Sequence, residues 1–236
     1  MLASSHPGRI IPPPSRYQDP VALSAVEEHI AGCFVVNLRI FAETMVNAVL
    51  AKCSRTHGHS QRVGIISYTA AHGLGLKKKQ ADYYYIAGLL HDIGKIGLSD
   101  ALLAKMKSGG SLSPEEESAV RRHPQIGAQV IDPLDRTMDS CDSLSSIIMH
   151  HHELYDGSGY PGGLRGSRIP LGARIVGCAD ALTVRMENGD TLSDALEHIV
   201  MREHGKYDPK VIAAIEQYRS KAEVCLREIS GRWLTL

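Results

Sequence analysis

IAGLLHDIGKIG, residues 86–97, places a polar pair, His91 and Asp92, at the end of an apolar run. Leu89, Leu90 and Ile93 flank the pair, which does not suit an open, solvated surface. An unpaired charge buried there would cost several kcal/mol, whereas a bound cation would make the burial favourable. The apolar residues before the pair recur at helical spacing, so the stretch reads as the end of a helix over 80–93.

Outward from this stretch the same theme returns. His59 opens a helical period, His123 stands in RRHPQIG, His151 and His152 close a further helix, and Asp180 lies inside ARIVGCADAL. The steps from 59 to 91, 123, 151 and 180 are 32, 32, 28 and 29 residues. Two helices and a turn occupy about that length, so each step returns the chain to the same end of a bundle. A lone histidine is more often a surface residue. Five of them with two aspartates at near-regular spacing read as a metal site.

Helical periods are expected over 58–73, 80–93, 114–131, 140–152, 171–185, 191–203 and 209–229. Ser113-Pro114-Glu115-Glu116 and Asp208-Pro209 are start signals, with a capping side chain before proline at the first helical position. No segment alternates with β-branched enrichment, so the expected fold is all-α, a helical bundle with a metal site between helices. The long irregular segment 153–170 holds Gly157, Gly159, Gly162, Gly163 and Gly166, and an ordered loop of that length is expected to lie over something.

Residues 1–18, with Pro12, Pro13 and Pro14 in a row, read as a disordered head. Asp19-Pro20 then starts a long helix over 19–52, striped by Leu23, Val26, Ile30, Phe34, Leu38, Phe41, Met45 and Val49. It is either a core helix or a linker and dimerisation helix. Residues 53–236 are expected to form the domain that carries the metal site. The chain of 236 residues balances 26 basic against 26 acidic side chains, which argues against duplex nucleic acid or an anionic membrane surface as partner. It has no apolar run long enough to span a membrane and no apolar core of a secretory signal near its start. Five cysteines never form Cys-x-x-Cys, so the cytoplasm is the expected compartment.

The ligand tally suggests two metals. On a pair of six-coordinate ions, the five histidines, Asp180, a bridging Asp92 and a bridging hydroxide leave two positions open for phosphate oxygens. Mixed imidazole and carboxylate ligation favours iron or manganese, with zinc or nickel also fitting. Lys95 follows His91 by four residues and Asp92 by three, so on a helix it shares their face and becomes a contact for substrate phosphate.

HDIGKIG (91–97) followed by HHELYDGSGYP (151–161) resembles the HD-GYP phosphodiesterases. The likeness continues through HSQRV (59–63), SLSPEE (111–116), HPQIG (123–127), GLRGSRIPLGARI (163–175) and KYDPKV (206–211). The resemblance implies hydrolysis of cyclic di-GMP to pGpG or GMP by attack of a metal-bridging hydroxide, with Asp92 and Lys95 as catalytic residues. It implies His59, His91, Asp92, His123, His151, His152 and Asp180 as metal ligands. Lys95, Gly159, Tyr160, Pro161 and Arg185 would meet substrate. Where some members hold a glutamate four residues before the first ligand, this chain has Arg55, which points to two metals rather than three. The segment that follows Asp180 in CADALTVRMENGD (178–190) is about three residues short of the family pattern and keeps one cation, Arg185, at a comparable place. Alternative expectations are a weakly active or inactive signalling module that binds nucleotide or a diguanylate cyclase partner, and a hydrolase of another cyclic dinucleotide. The first 42 residues hold no receiver or sensor domain, so regulation is expected through the long helix, a partner, or sequence outside this chain.

Overall fold

The computed structural model describes residues 38–49, 52, 57–135 and 142–233. The proline-rich head, the Asp19-Pro20 start and Arg55 lie outside the described residues. Among the described residues every regular element is helical and none is a strand, as the sequence led us to expect.

The first described helix, α1, covers residues 38–49. It is followed by α2 (His57–Gly73), α3 (Lys78–Leu90), a 3-10 turn (Ile93–Gly97), α4 (Asp100–Lys107), α5 (Pro114–Val120), α6 (His123–Asp135) and α7 (Leu144–His150). After the glycine-rich loop come α8 (Leu171–Glu187), α9 (Leu192–Arg202), α10 (Pro209–Gln217) and α11 (Arg219–Trp233). Helix α2 is the hub, packing against α3, α8, α10 and α11. Ile66, Ile86, Leu89, Leu90, Ile147, Ile148 and Ile175 fill one core around it. Each such side chain contributes about 1.5–3 kcal/mol through burial. Leu38, Ala42, Val46 and Val49 of α1 join the same core. Phe41 of the expected stripe is instead exposed, because the buried face of α1 is turned by one residue towards Ala42.

Three differences from the sequence reading matter for the site. The helix expected over 80–93 ends at Leu90, and Asp92 caps a 3-10 turn. The period expected over 114–131 is two helices, broken at Arg121 and Arg122, where the α5 cap amide bonds back to Glu117 and Ala119. The period over 209–229 is likewise divided at Tyr218. The start signals behave as read. The Ser113 hydroxyl accepts from the Glu116 amide at 3.2 Å while the Glu116 carboxylate accepts from the Ser113 amide at 2.7 Å. Asp208 accepts from the Lys210 amide at 2.9 Å.

Glycine decides how closely the site elements approach. A Cβ on Gly94 would stand 1.9 Å from the His123 carbonyl oxygen, and one on Gly177 would stand 2.3 Å from that of His151. The 3-10 turn can therefore press on α6, and α8 on the end of α7. We expect Gly94→Ala to destabilise the fold by about 1–3 kcal/mol through overpacking and to weaken metal retention. Thermal unfolding and metal content of the variant check this. An unchanged melting temperature would contradict it.

Candidate metal centre

The sequence-predicted histidines and aspartates converge. His59 opens α2, His91 ends α3, Asp92 enters the 3-10 turn, His123 opens α6, His151 caps α7, His152 follows it, and Asp180 sits in α8. They form two groups with ligand atoms close together: His59, His91 and Asp180 in one, His123, His151 and His152 in the other. The His59 Nε2 is 3.1 Å from Asp180 Oδ1, and His91 Nε2 is 3.8 Å from the same oxygen. Asp92 lies between the groups. Its Oδ2 is 3.4 Å from His91 Nε2 and its Oδ1 is 3.3 Å from His123 Nε2.

Hydrogen bonding orients the rings. Nδ1 of His91 meets the Gly88 carbonyl at 2.7 Å, that of His123 the Val120 carbonyl at 2.8 Å, and that of His151 the Ile148 carbonyl at 2.7 Å. A carbonyl can only accept, so each Nδ1 carries the proton and each Nε2 is left with a lone pair directed inward. Nε2 of His123 and of His151 are then two acceptors 3.4 Å apart. Nε2 of His91 is buried with no hydrogen-bond partner, since Asp92 Oδ2 stands near it only as a second acceptor. Such an arrangement is unfavourable unless a cation sits between the lone pairs, and the residues present fit one.

Charge follows the same logic. Burial lowers the pKa of His123, lowers that of His151 well below its usual value with help from neighbouring imidazoles, and lowers that of His152 to about 4. These rings are neutral, as a ligand must be. His59 differs: burial opposes its charge, but hydrogen bonds to Asp180 and Glu187 prevail and raise it to about 9. Burial likewise works against charge on Asp92, yet the Lys95 ammonium beside it holds its carboxyl well below the ordinary range. Asp180 is lowered too, against its burial, chiefly by the hydrogen bond to His59.

For protein stripped of metal by chelation these shifts set a pH profile. The lowered histidines contribute stability that is complete above about pH 6.5 and is lost as pH falls towards about 4. His59 contributes stability that is complete below about pH 6.5 and is lost as pH rises through about 9. Thermal stability of the chelated protein is therefore expected to peak near pH 6.5, about the unperturbed histidine pKa. A steady rise or fall from about pH 5 to 9 would contradict these assignments.

Lys95 Nζ pairs with Asp92 Oδ2. The two share a face through the 3-10 turn, not through the helix assumed from the sequence. The glycine-rich loop does lie over the site. Buried Glu153 anchors it by accepting from the amides of Gly162 at 2.5 Å and Leu164 at 2.9 Å, and the Tyr155 amide bonds to the Lys206 carbonyl at 2.8 Å. Tyr160, followed by a cis bond to Pro161, stacks on His152 with ring centres 4.9 Å apart. Gly159 touches the backbone of His152 and Leu154 so closely that no Cβ fits. Gly159 and Tyr160, with His151, His152, Asp180, Arg121, Arg185 and Tyr207, line a cleft of about 480 Å³, and Pro161 does not line it. Arg185 is drawn aside by Asp190 at 2.5 Å.

Three residues were missed in the sequence. Glu187 accepts from His59 Nδ1 at 3.2 Å and from Arg62 at 2.7 Å. Its spacing of seven from Asp180 puts both on one face of α8, a signal that was readable. Glu153 and Arg121 gave no comparable signal, since their roles depend on how the loop and the α5–α6 break fold back. Cys178, near Asp180 in sequence, is buried in the core and its thiol is pushed up to about 12 by burial.

No helix among the described residues is long and apolar enough to cross a membrane. In sequence the chain is 31% identical, over 81% of its length, to a protein of Xanthomonas campestris named cyclic di-GMP phosphodiesterase response regulator RpfG. It is 31% identical, over 78% of its length, to a Vibrio cholerae protein named 3'3'-cGAMP-specific phosphodiesterase 2. Over 67% of its length it is 35% identical to a cyclic di-GMP phosphodiesterase of Thermotoga maritima. The matched regions span 50%, 36% and 43% of those proteins, so the chain corresponds to half or less of each. A solved structure of a cyclic GMP-AMP phosphodiesterase of V. cholerae shares the fold, with a TM-score of 0.62 at 21% identity over 83% of this chain and 53% of that one. A family model described as HD domain matches residues 43–211, a span that contains all seven converging side chains. The chain belongs to the HD domain family, and the resemblance read from its motifs is borne out.

Proposed function

We propose that this chain is a metal-dependent phosphodiesterase that opens a cyclic dinucleotide, with cyclic di-GMP as its substrate and pGpG or GMP as product, acting in the cytoplasm. The observation that carries this reading is Asp92, whose two carboxylate oxygens face His91 on one side and His123 on the other, beside a cleft lined by His151, His152 and Asp180. On this reading His59, His91 and Asp180 would hold one ion and His123, His151 and His152 a second, with Asp92 placed between the two groups. Iron or manganese suits the donor set, and the ions would supply activated water near neutral pH and take up phosphoryl charge. The backbone carbonyls behind His91, His123 and His151 keep those rings aimed and in one tautomer. Lys95, now against Asp92, is placed to neutralise a non-bridging phosphate oxygen. Gly159, Tyr160 and Pro161 border the nucleotide.

Arg185 is engaged by Asp190, so it grips substrate weakly and the Michaelis constant is high. Relatives named 3'3'-cGAMP-specific favour a second substrate reading, the mixed cyclic dinucleotide. The test is turnover of cyclic di-GMP, 3'3'-cGAMP and bis(p-nitrophenyl) phosphate by one iron- or manganese-loaded sample. We expect slow turnover of cyclic di-GMP and activity on the generic diester. Faster turnover of 3'3'-cGAMP would reassign the substrate, and generic activity alone would overturn both dinucleotide readings. Activity on none would leave a module that binds nucleotide or a diguanylate cyclase partner. We also propose a homodimer through the N-terminal helix, supported by the outward apolar side chains of Ile40 and Phe41 on α1. A monomeric mass in light scattering would refute it.

A further inference from the structure

Building on the cyclic dinucleotide reading, we propose that Arg121 is the cation that receives the second phosphodiester of the substrate, the one that is not cleaved. Arg121 sits at the break between α5 and α6 and lines the same cleft as His151, His152, Asp180 and Tyr160. Its guanidinium stands 5.0 Å over the Tyr160 ring, and that ring stacks on His152. The aromatic face thus tethers a long, exposed side chain beside the histidine cluster. A guanidinium suits this position because it is weakly hydrated and keeps its in-plane donors free while its face rests on a ring.

Three other cations of the site and of α8 are engaged. Lys95 pairs with Asp92, Arg185 with Asp190 at 2.5 Å, and Arg174 with buried Asp208 at 2.5 Å. Among the described residues no carboxylate pairs with Arg121. A cyclic dinucleotide carries two phosphodiesters on opposite sides of one ring. With one at the histidines, the other requires a positive group at the cleft wall. The segment after Asp180 is short and its arginine is occupied, so the charge comes from the α5–α6 break instead.

The test compares Arg121→Met, which keeps bulk over Tyr160 but removes charge, with Arg121→Lys, on metal-loaded protein. Dissociation constants are measured for cyclic di-GMP and 3'3'-cGAMP, and KM and kcat for cyclic di-GMP and for the single-phosphate diester bis(p-nitrophenyl) phosphate. We expect Arg121→Met to weaken dinucleotide binding and raise its KM by roughly tenfold to a hundredfold, as for loss of a charge-assisted contact. The loss in kcat/KM on cyclic di-GMP should exceed that on the generic diester at least about fivefold, with Arg121→Lys recovering part of it. Equal losses on both substrates would assign Arg121 to positioning Tyr160 and overturn the proposal, as would unchanged binding. Wild-type protein that binds neither dinucleotide would sink the substrate reading itself, and that result appears before any variant is made.

Discussion

Replacing Asp92 with alanine should remove bound metal and with it all measurable phosphodiester hydrolysis. The carboxylate faces both clusters, with Oδ2 3.4 Å from His91 Nε2 and Oδ1 3.3 Å from His123 Nε2. Without it each cluster keeps three donors, but nothing holds the two together, and two ions would repel across the gap. A metal-generated nucleophile contributes several kcal/mol, so activity should fall by at least about a hundredfold. The bundle should survive, because Asp92 lies in a turn outside the apolar core. Elemental analysis is expected to find about two ions per wild-type chain and well under one in the variant, with helical circular dichroism little changed. Activity above roughly a tenth of wild type, or full metal content, would refute the bridging role.

Replacing Lys95 with alanine should separate chemistry from metal binding. The ammonium binds no metal and its partner here is Asp92 Oδ2. When a phosphate enters, its non-bridging oxygens compete with that carboxylate for Lys95. The variant is expected to keep its metals and to lose kcat by roughly tenfold to a thousandfold, the range for removal of one charge-stabilising donor. Loss of metal alongside rate would instead mean that Lys95 acts by holding Asp92 in place. Measuring metal content and single-turnover rate on one preparation decides between these outcomes.

Much of this molecule could be read along the chain. Apolar residues at three- and four-residue spacing, without alternation, determine helices. Ser113-Pro114 and Asp208-Pro209 start them because a cap and a proline act within one turn. The seven converging side chains were legible for a related reason. Their spacing of about thirty residues matches a helix pair, and burying so many polar groups among leucine and isoleucine admits few explanations. What the sequence hid were relations between distant segments. The close approach of the 3-10 turn to α6 rests on Gly94 meeting the His123 carbonyl, which periodicity does not encode. The break at Arg121 likewise comes from a turn between α5 and α6 where the local pattern reads as one helix.

The partners of the long charged side chains were decided by the tertiary structure alone. Lys95 turning to Asp92, Arg185 to Asp190 and Arg121 to the Tyr160 ring follow from which groups the folded bundle brings within reach. Such side chains carry about 2 kcal/mol of rotamer entropy, so nothing local commits them to one direction. The sequence determined the helices and the set of polar residues that must share one buried place. Only the packed bundle determined which carboxylate oxygen faces which imidazole, and which ring Arg121 rests on, because those choices are made by contacts between residues far apart in the chain.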